Sequence, residues 1–254
     1  MRKFISCNIT KTLSVFVVTL FCGAHNFNQN IAGKKFSIVR VKFDGDVKMG
    51  IQHGKTDVKL DTVGDCEKEV IVKEGVLFIS CKRLKKHSPL EVDCNMSLPS
   101  DVKLVVVNAG AVDCVVSSYS GALECNIGSF TLFVDSNLSR LIINAGTLNA
   151  KLRNINYDTK INAGTLNLDG SVVAASKKNR AMPFEIRIKS GTSDSVFILP
   201  DGFKVSYSLN GFIKCYSDYP NYSNTLEHVD CKIFVSSAMG SLKFQNVQEK
   251  AEGK

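Results

Sequence analysis

The chain contains no tryptophan and only five prolines and five methionines, and beyond its first 24 residues it has no long run of apolar residues at spacings of three and four. Without that period a helical bundle or helical repeat array is excluded. CxxC is also absent, and no Cys/His spacing suits zinc, which excludes the common zinc modules. None of the four histidines, His25, His53, His87 and His228, lies near a candidate nucleophile with a recognisable catalytic spacing. There is no nucleophile elbow, phosphate-binding loop or HExxH, so the familiar hydrolase, nucleotide-triphosphatase and metalloprotease signatures are missing. Val, Ile, Leu, Asn, Ser and Gly carry the body of the chain.

What is present is a repeat. Asn-Ala-Gly or a near copy recurs every 18 residues, at Asn108-Ala109-Gly110, Asn126-Ile127-Gly128, Asn144-Ala145-Gly146 and Asn162-Ala163-Gly164. One residue before each Asn come Val107, Cys125, Ile143 and Ile161, and three before it Val105, Leu123, Leu141 and Thr159. Four after it come Val112, Phe130, Leu148 and Leu166, and six after it Cys114, Leu132, Ala150 and Leu168. This is period-two alternation on both sides of a turn, the mark of strands with one buried face. A rung of this length predicts about two or three strands of ordinary length plus corners. One rung cannot bury its own apolar face, so the rungs must stack with equivalent positions aligned.

At strand spacing, Asn108, Asn126, Asn144 and Asn162 are expected to form a ladder of side-chain amides along a corner. Gly110, Gly128, Gly146 and Gly164 mark positions that need either positive φ or a close backbone approach. Gly191, Gly211 and Gly240 read as later turns and Gly54 as an earlier one, in weaker register. The expected fold is all-β: a parallel β-solenoid (β-helix-like) with about 18-residue rungs and a hairpin-rich N-terminal portion.

Residues 1–24 have a different composition. Arg2, Lys3 and Lys11 precede an apolar run at residues 13–21, followed by Cys22-Gly23-Ala24. The run is too short to span a bilayer comfortably, and the small residues suit cleavage after Ala24, so a secretory signal peptide is expected, with a retained membrane anchor as the alternative. A linker at 25–35, a solenoid domain at 36–245 and a disordered polar tail at 246–254 complete the expected organisation. The net charge of +8 becomes about +5 without the leader. The basic clusters at 82–87 and 177–180 lack interleaved aromatics, so nucleic acid is not an expected partner. The interrupted stretch 172–183 reads as an exposed loop.

Of nine cysteines, seven lie beyond the leader. Cys66 and Cys81 flank a hairpin centred on Lys73-Glu74, which would place them opposite one another for a disulfide. Cys215 and Cys231 are a second candidate pair, closing a Tyr-rich loop. Cys114 and Cys125 fall on buried ladder positions, and Cys94 is placed within reach of Cys114 on a neighbouring strand. Within the Tyr-rich stretch, Tyr216, Tyr219 and Tyr222 form a candidate contact loop for protein or glycan, or a cap over the solenoid end. Asp113, Asp135 and Asp169 fall at three different repeat positions, so the clear rungs carry no carboxylate row.

The paired Asn-Ala-Gly-Thr-Leu-Asn segments at 144–149 and 162–167 resemble those of the bacterial adhesin-like domains of the head GIN, or toast-rack, β-solenoid group. So do the strand, Leu-Pro break and returning strand at 191–211 and the earlier break at Leu98-Pro99. The resemblance covers about residues 36–245. It implies a β-helix-like fold at the envelope or cell surface and brings no catalytic residues with it. The expected function is therefore that of an exported, non-enzymatic envelope or surface protein, adhesin-like or scaffolding, in the periplasm, on the outer membrane or outside the cell. It would bind protein or glycan through a sheet face or end loops, with no cofactor or metal, and would touch membrane only through an uncleaved leader. A carbohydrate-active β-helix enzyme, or a periplasmic sensor or assembly factor, is the alternative.

Overall fold

The fold is a parallel β-solenoid. The structure, a computed structural model, describes residues 31–173, 183–217, 222–223 and 229–246. The expected leader, most of the stretch 172–183 with its basic cluster at 177–180, and residues 247–254 of the expected tail lie outside the described residues.

The repeat region supplies β6 (Leu104–Ser117), β7 (Ala122–Asp135), β8 (Arg140–Ile155) and β9 (Asp158–Val172). They pair in parallel with equivalent residues abreast: Val107 beside Cys125, Cys125 beside Ile143, and Ile143 beside Ile161. All sixteen of the apolar-file positions named above are buried. Each rung is one bent strand, where the sequence predicted two or three short ones. Pairing with the rungs on either side resumes in the same register past the corner, skipping only the corner glycine itself. The bend shows instead in the side chains. Val105 and Val107 point inward before the corner, and Val112, Cys114 and Val116 after it, a switch of parity across the Asn-Ala-Gly. Short return turns join the rungs, and Tyr119, Leu138 and Tyr157 drop from them into the core.

Glycine acts at the corner through space, not through dihedral angle. None of Gly110, Gly128, Gly146 and Gly164 has positive φ. A Cβ on Gly128 or Gly146 would lie 2.7 Å from the carbonyl oxygen of the preceding corner glycine, and one on Gly164 would lie 2.6 Å away.

At both ends the chain abandons sequential order. β1 (Ile38–His53) packs against β6, and its other side is covered by two strands. β4 (Val76–Arg83) pairs its first half and β5 (Glu91–Leu98) its second. β3 (Cys66–Lys73) and β2 (Asp57–Val63) then close that end by antiparallel pairing with β4 and β5. This is the hairpin-rich portion. The corner of β1 is Gly45, at φ 105° and with a register shift between Phe43 and Asp46, whereas Gly54 lies past the end of the strand. At the opposite end β10 (Phe184–Leu199) follows β9, but its next neighbour is β13 (Cys231–Asn246). β11 (Val205–Ser217) lies beyond β13, with the two-residue β12 (Tyr222–Ser223) on its far side. Gly191 and Gly211 occupy corners. Gly240 does not, because it pairs with Ser193 two residues past the corner.

Candidate functional site

Inward residues fill the core, so ligand contact falls to the outward ones. On the second arm of the rungs these also line up in files. Asp61 faces Asp93, Asp93 faces Lys48, and Lys48 faces Asp113, followed by Thr131 and Asn149. Beside them Glu91 faces Asp46, and Ala111 and Ser129 continue that file. The last two are short and leave the floor low. The result is a groove of about 590 Å³ lined by Asp46, Asp61, Glu91, Asp93 and Asp113 around the single Lys48. All five acids are exposed. Asp61 and Asp93 stand directly opposite across an antiparallel pair, an arrangement that costs stability. Among the described residues no group of acids, His or Cys is arranged to hold a metal ion.

The groove runs into a second depression of about 600 Å³ that shares Lys48, Asp93 and Asp113 and adds Asn95, Val115, Phe133 and Lys151. Gly50 forms a notch in its wall. A Cβ there would meet Oδ1 of Asn95, whose Nδ2 donates to Oδ1 of Asp93 at 2.7 Å. Val115 is exposed beside Phe133. Sequence reasoning missed this site because its acids lie mostly outside the clear rungs. Only the order β2, β5, β1, β6 brings them together.

The corner asparagines form a continuous chain of amides. Nδ2 of Asn126 donates to Oδ1 of Asn108 at 3.0 Å, Asn144 to Asn126 at 2.8 Å, and Asn162 to Asn144 at 2.7 Å. Lys42 and Lys189 take the same position on the rungs at either end of the ladder.

The proposed disulfides do not form: all seven described cysteines are free. The hairpin register sets Cys66 opposite Arg83 and Cys81 opposite Lys68, so the two thiols lie diagonally and hydrogen-bond. Burial, with Cys66 alongside, pushes the Cys81 thiol up to about 12. Cys215 lies across from Leu242, whereas Cys231 lies across from Val205, ten residues away along β11. Met49 sits between Cys94 and Cys114, pairing with each, so they are two rungs apart and beyond bridging distance. Burial raises the thiols of Cys94, Cys114 and Cys125, in the last case well above the ordinary range.

The structure also brings together His53 and Ser120, which the sequence reading kept apart. Nδ1 of His53 lies 3.2 Å from the Leu98 carbonyl and so must donate. Nε2 therefore accepts from Ser120, through Oγ at 2.9 Å and through the backbone N–H at 3.2 Å. The ring also packs against Tyr119, at 5.4 Å between centroids. With both Ser120 donors on one nitrogen, the imidazole latches the return turn 118–121 to the end of β1. Of the tyrosine loop, Tyr216 is half exposed on β11. Tyr219 and the side chain of Tyr222 lie outside the described residues. On the turn after β4, exposed Lys85 pairs with Asp65 at 3.0 Å.

No known family's sequence pattern matches the chain, and no curated protein matches it. Solved structures with a similar fold include a candidate adhesin of Parabacteroides merdae, at 14% identity and TM-score 0.42, covering 84% of this chain and 92% of that one. A candidate adhesin of Bacteroides fragilis follows at 12% and 0.36, covering 84% and 93%. A candidate cell adhesion protein of Clostridium sporogenes has 13% and 0.33, covering 83% and 93%.

Proposed function

We propose that the chain is an exported, non-enzymatic surface or envelope protein that holds a cationic segment of a partner protein in the Asp46/Asp61/Glu91/Asp93/Asp113 groove. One observation carries the reading: five carboxylates surround a single lysine in a concave strip of a chain whose net charge is +8. A folded protein gains nothing in stability from opposing Asp61 and Asp93; a positively charged partner would neutralise both. The flat, rigid face of a stacked sheet suits a long extended ligand.

Glycoside hydrolysis also uses paired acids, and the groove supplies acids. That chemistry needs one carboxyl kept protonated by burial, whereas all five here are exposed, which favours binding.

The test uses a nonalysine peptide and intact cells as probes. The chain should bind both, more weakly as salt rises. The triple variant Asp61→Asn, Asp93→Asn, Asp113→Asn should lose most of that binding while remaining at least as stable. Undiminished binding by the variant would remove the groove from the reading. Release of reducing ends from envelope polysaccharide would replace binding by catalysis. Export is tested separately by N-terminal sequencing of the mature protein, which should begin at His25.

A further inference from the structure

The two ends of the solenoid are unlike. The β2/β3 end carries exposed charges of both signs, Lys59, Asp61, Glu67, Glu69 and Lys73, a usual defence of a sheet edge against pairing. The β11 end does not. Among the described residues only β12 pairs with its outer side, over Val205 and Ser206. From 208 to 214 no described strand covers that edge, and the segment holds one charge, Lys214. Leu209 and Ile213 continue the interior files but are only partly buried. Beside them Phe212 is 86% exposed and Met239 62%.

The edge has an internal symmetry. Gly211, at φ 112°, is the corner, and the register with β13 slips there between Asn210 and Phe212. β11 has one residue fewer than β13 at this corner, so side-chain parity is kept across Gly211 and the order of inward and outward residues reads the same in both directions from it. Leu209 and Ile213 face in, two residues to either side; Ser208, Asn210, Phe212 and Lys214 face out. A two-fold axis through Gly211 therefore lays this edge antiparallel on a copy of itself with every inward residue over an inward one. Leu209 meets Ile213 of the second copy, Asn210 meets Phe212, and Ser208 meets Lys214. In a strand the direction of the backbone amide alternates with that of the side chain, so hydrogen bonding keeps step on both arms.

We infer that the β11 edge is a self-complementary joint through which two copies of this chain pair end to end, antiparallel about Gly211. The interior of one solenoid then runs into the next, covering the half-open ends of the core. No like charges oppose one another at the joint, since Lys214 meets a serine. A head-to-tail stack would instead set this edge on the charged β2/β3 end and would not close.

Sedimentation of the full chain from about 1 to about 100 µM tests the joint, together with charge changes at two exposed positions whose effect on folding can be checked by circular dichroism. Ser208→Lys sets lysine against Lys214 twice per dimer and should weaken association roughly tenfold. Ser208→Asp should tighten it by a similar factor. Ser208→Lys combined with Lys214→Asp should restore it, a rescue that only the stated register gives. A chain that stays monomeric at about 100 µM overturns the inference and leaves the edge to a different partner. A dimer indifferent to all three variants overturns it too.

Discussion

Replacing Gly146 by alanine puts a methyl group into the tightest part of the stack. Its carbon would lie 2.7 Å from the Gly128 carbonyl oxygen, and the paired residues on either side of the corner hold the two rungs in register. Relief requires the rungs to separate locally, an overpacking of about 1–3 kcal/mol. Loss of glycine's freedom in the unfolded chain returns about 0.4–1 kcal/mol. The net loss is about 1–2 kcal/mol, or about 3–6 °C in Tm for a domain of this size. Gly110 holds the same place in the motif, but its neighbour on the far side is the bulged corner of β1. The nearest atom to a Cβ there is the Gly45 oxygen at 3.8 Å. Gly110→Ala meets no clash, keeps the unfolded-state gain and should raise Tm by about 1–3 °C. Thermal unfolding followed by circular dichroism at 218 nm (roughly the β-sheet minimum) compares the two directly. Equal shifts of the same sign would refute the argument that space, not backbone angle, selects glycine at this corner.

Other consequences can be measured in the same way. Asn144→Ala removes two ladder bonds and Asn108→Ala one, so urea unfolding should show losses of about 1–2 and about 0.5–1 kcal/mol respectively. Since the described thiols are free, added reductant should leave Tm unchanged, and alkylation of the denatured chain should label all seven without prior reduction. Burial holds Cys114 protonated up to about 12 against an ordinary 9.0. Its raised value means that its contribution is complete below pH 9 and is lost as pH climbs toward 12. The loss is about 1.4 kcal/mol per pH unit, and Cys114→Ala should flatten the alkaline limb by that amount. His53→Ala releases the 118–121 turn, and hydrogen exchange there should quicken while that of the amides of β7 and β8 stays slow.

The sequence was most informative where one rung copies another. From Val105 to Leu168 each apolar position specifies its own neighbours, because the next rung offers the same residue type at the same height. The corner motif gave the amide ladder for the same reason. Legibility ended where the strand order leaves the sequence order. Nothing local in residues 57–98 shows that β5 lies on β1, so the meeting of Asp61, Asp93, Lys48 and Asp113 was hidden. The Cys66–Cys81 pairing failed on register: the turn is Glu74-Gly75, one residue later than expected, and that step moves Cys81 two residues away from direct opposition to Cys66. His53 and Ser120 are 67 residues apart; they meet because β1 is the rung next to β6, an adjacency no spacing encodes.

The place of β13 has a temporal consequence. β10 and β11 are consecutive in the chain, yet a full strand's width must stay vacant between them until residues 231–246 arrive. A molecule emerging from its N-terminus first can complete the middle of the stack but not its far end. The last described strand is a keystone, slotted between two neighbours already synthesised, and both must be held apart or re-opened to admit it. Completion of the β11 end therefore waits until residues 231–246 are available, and any joint formed there reports that the chain has been made through its last described strand.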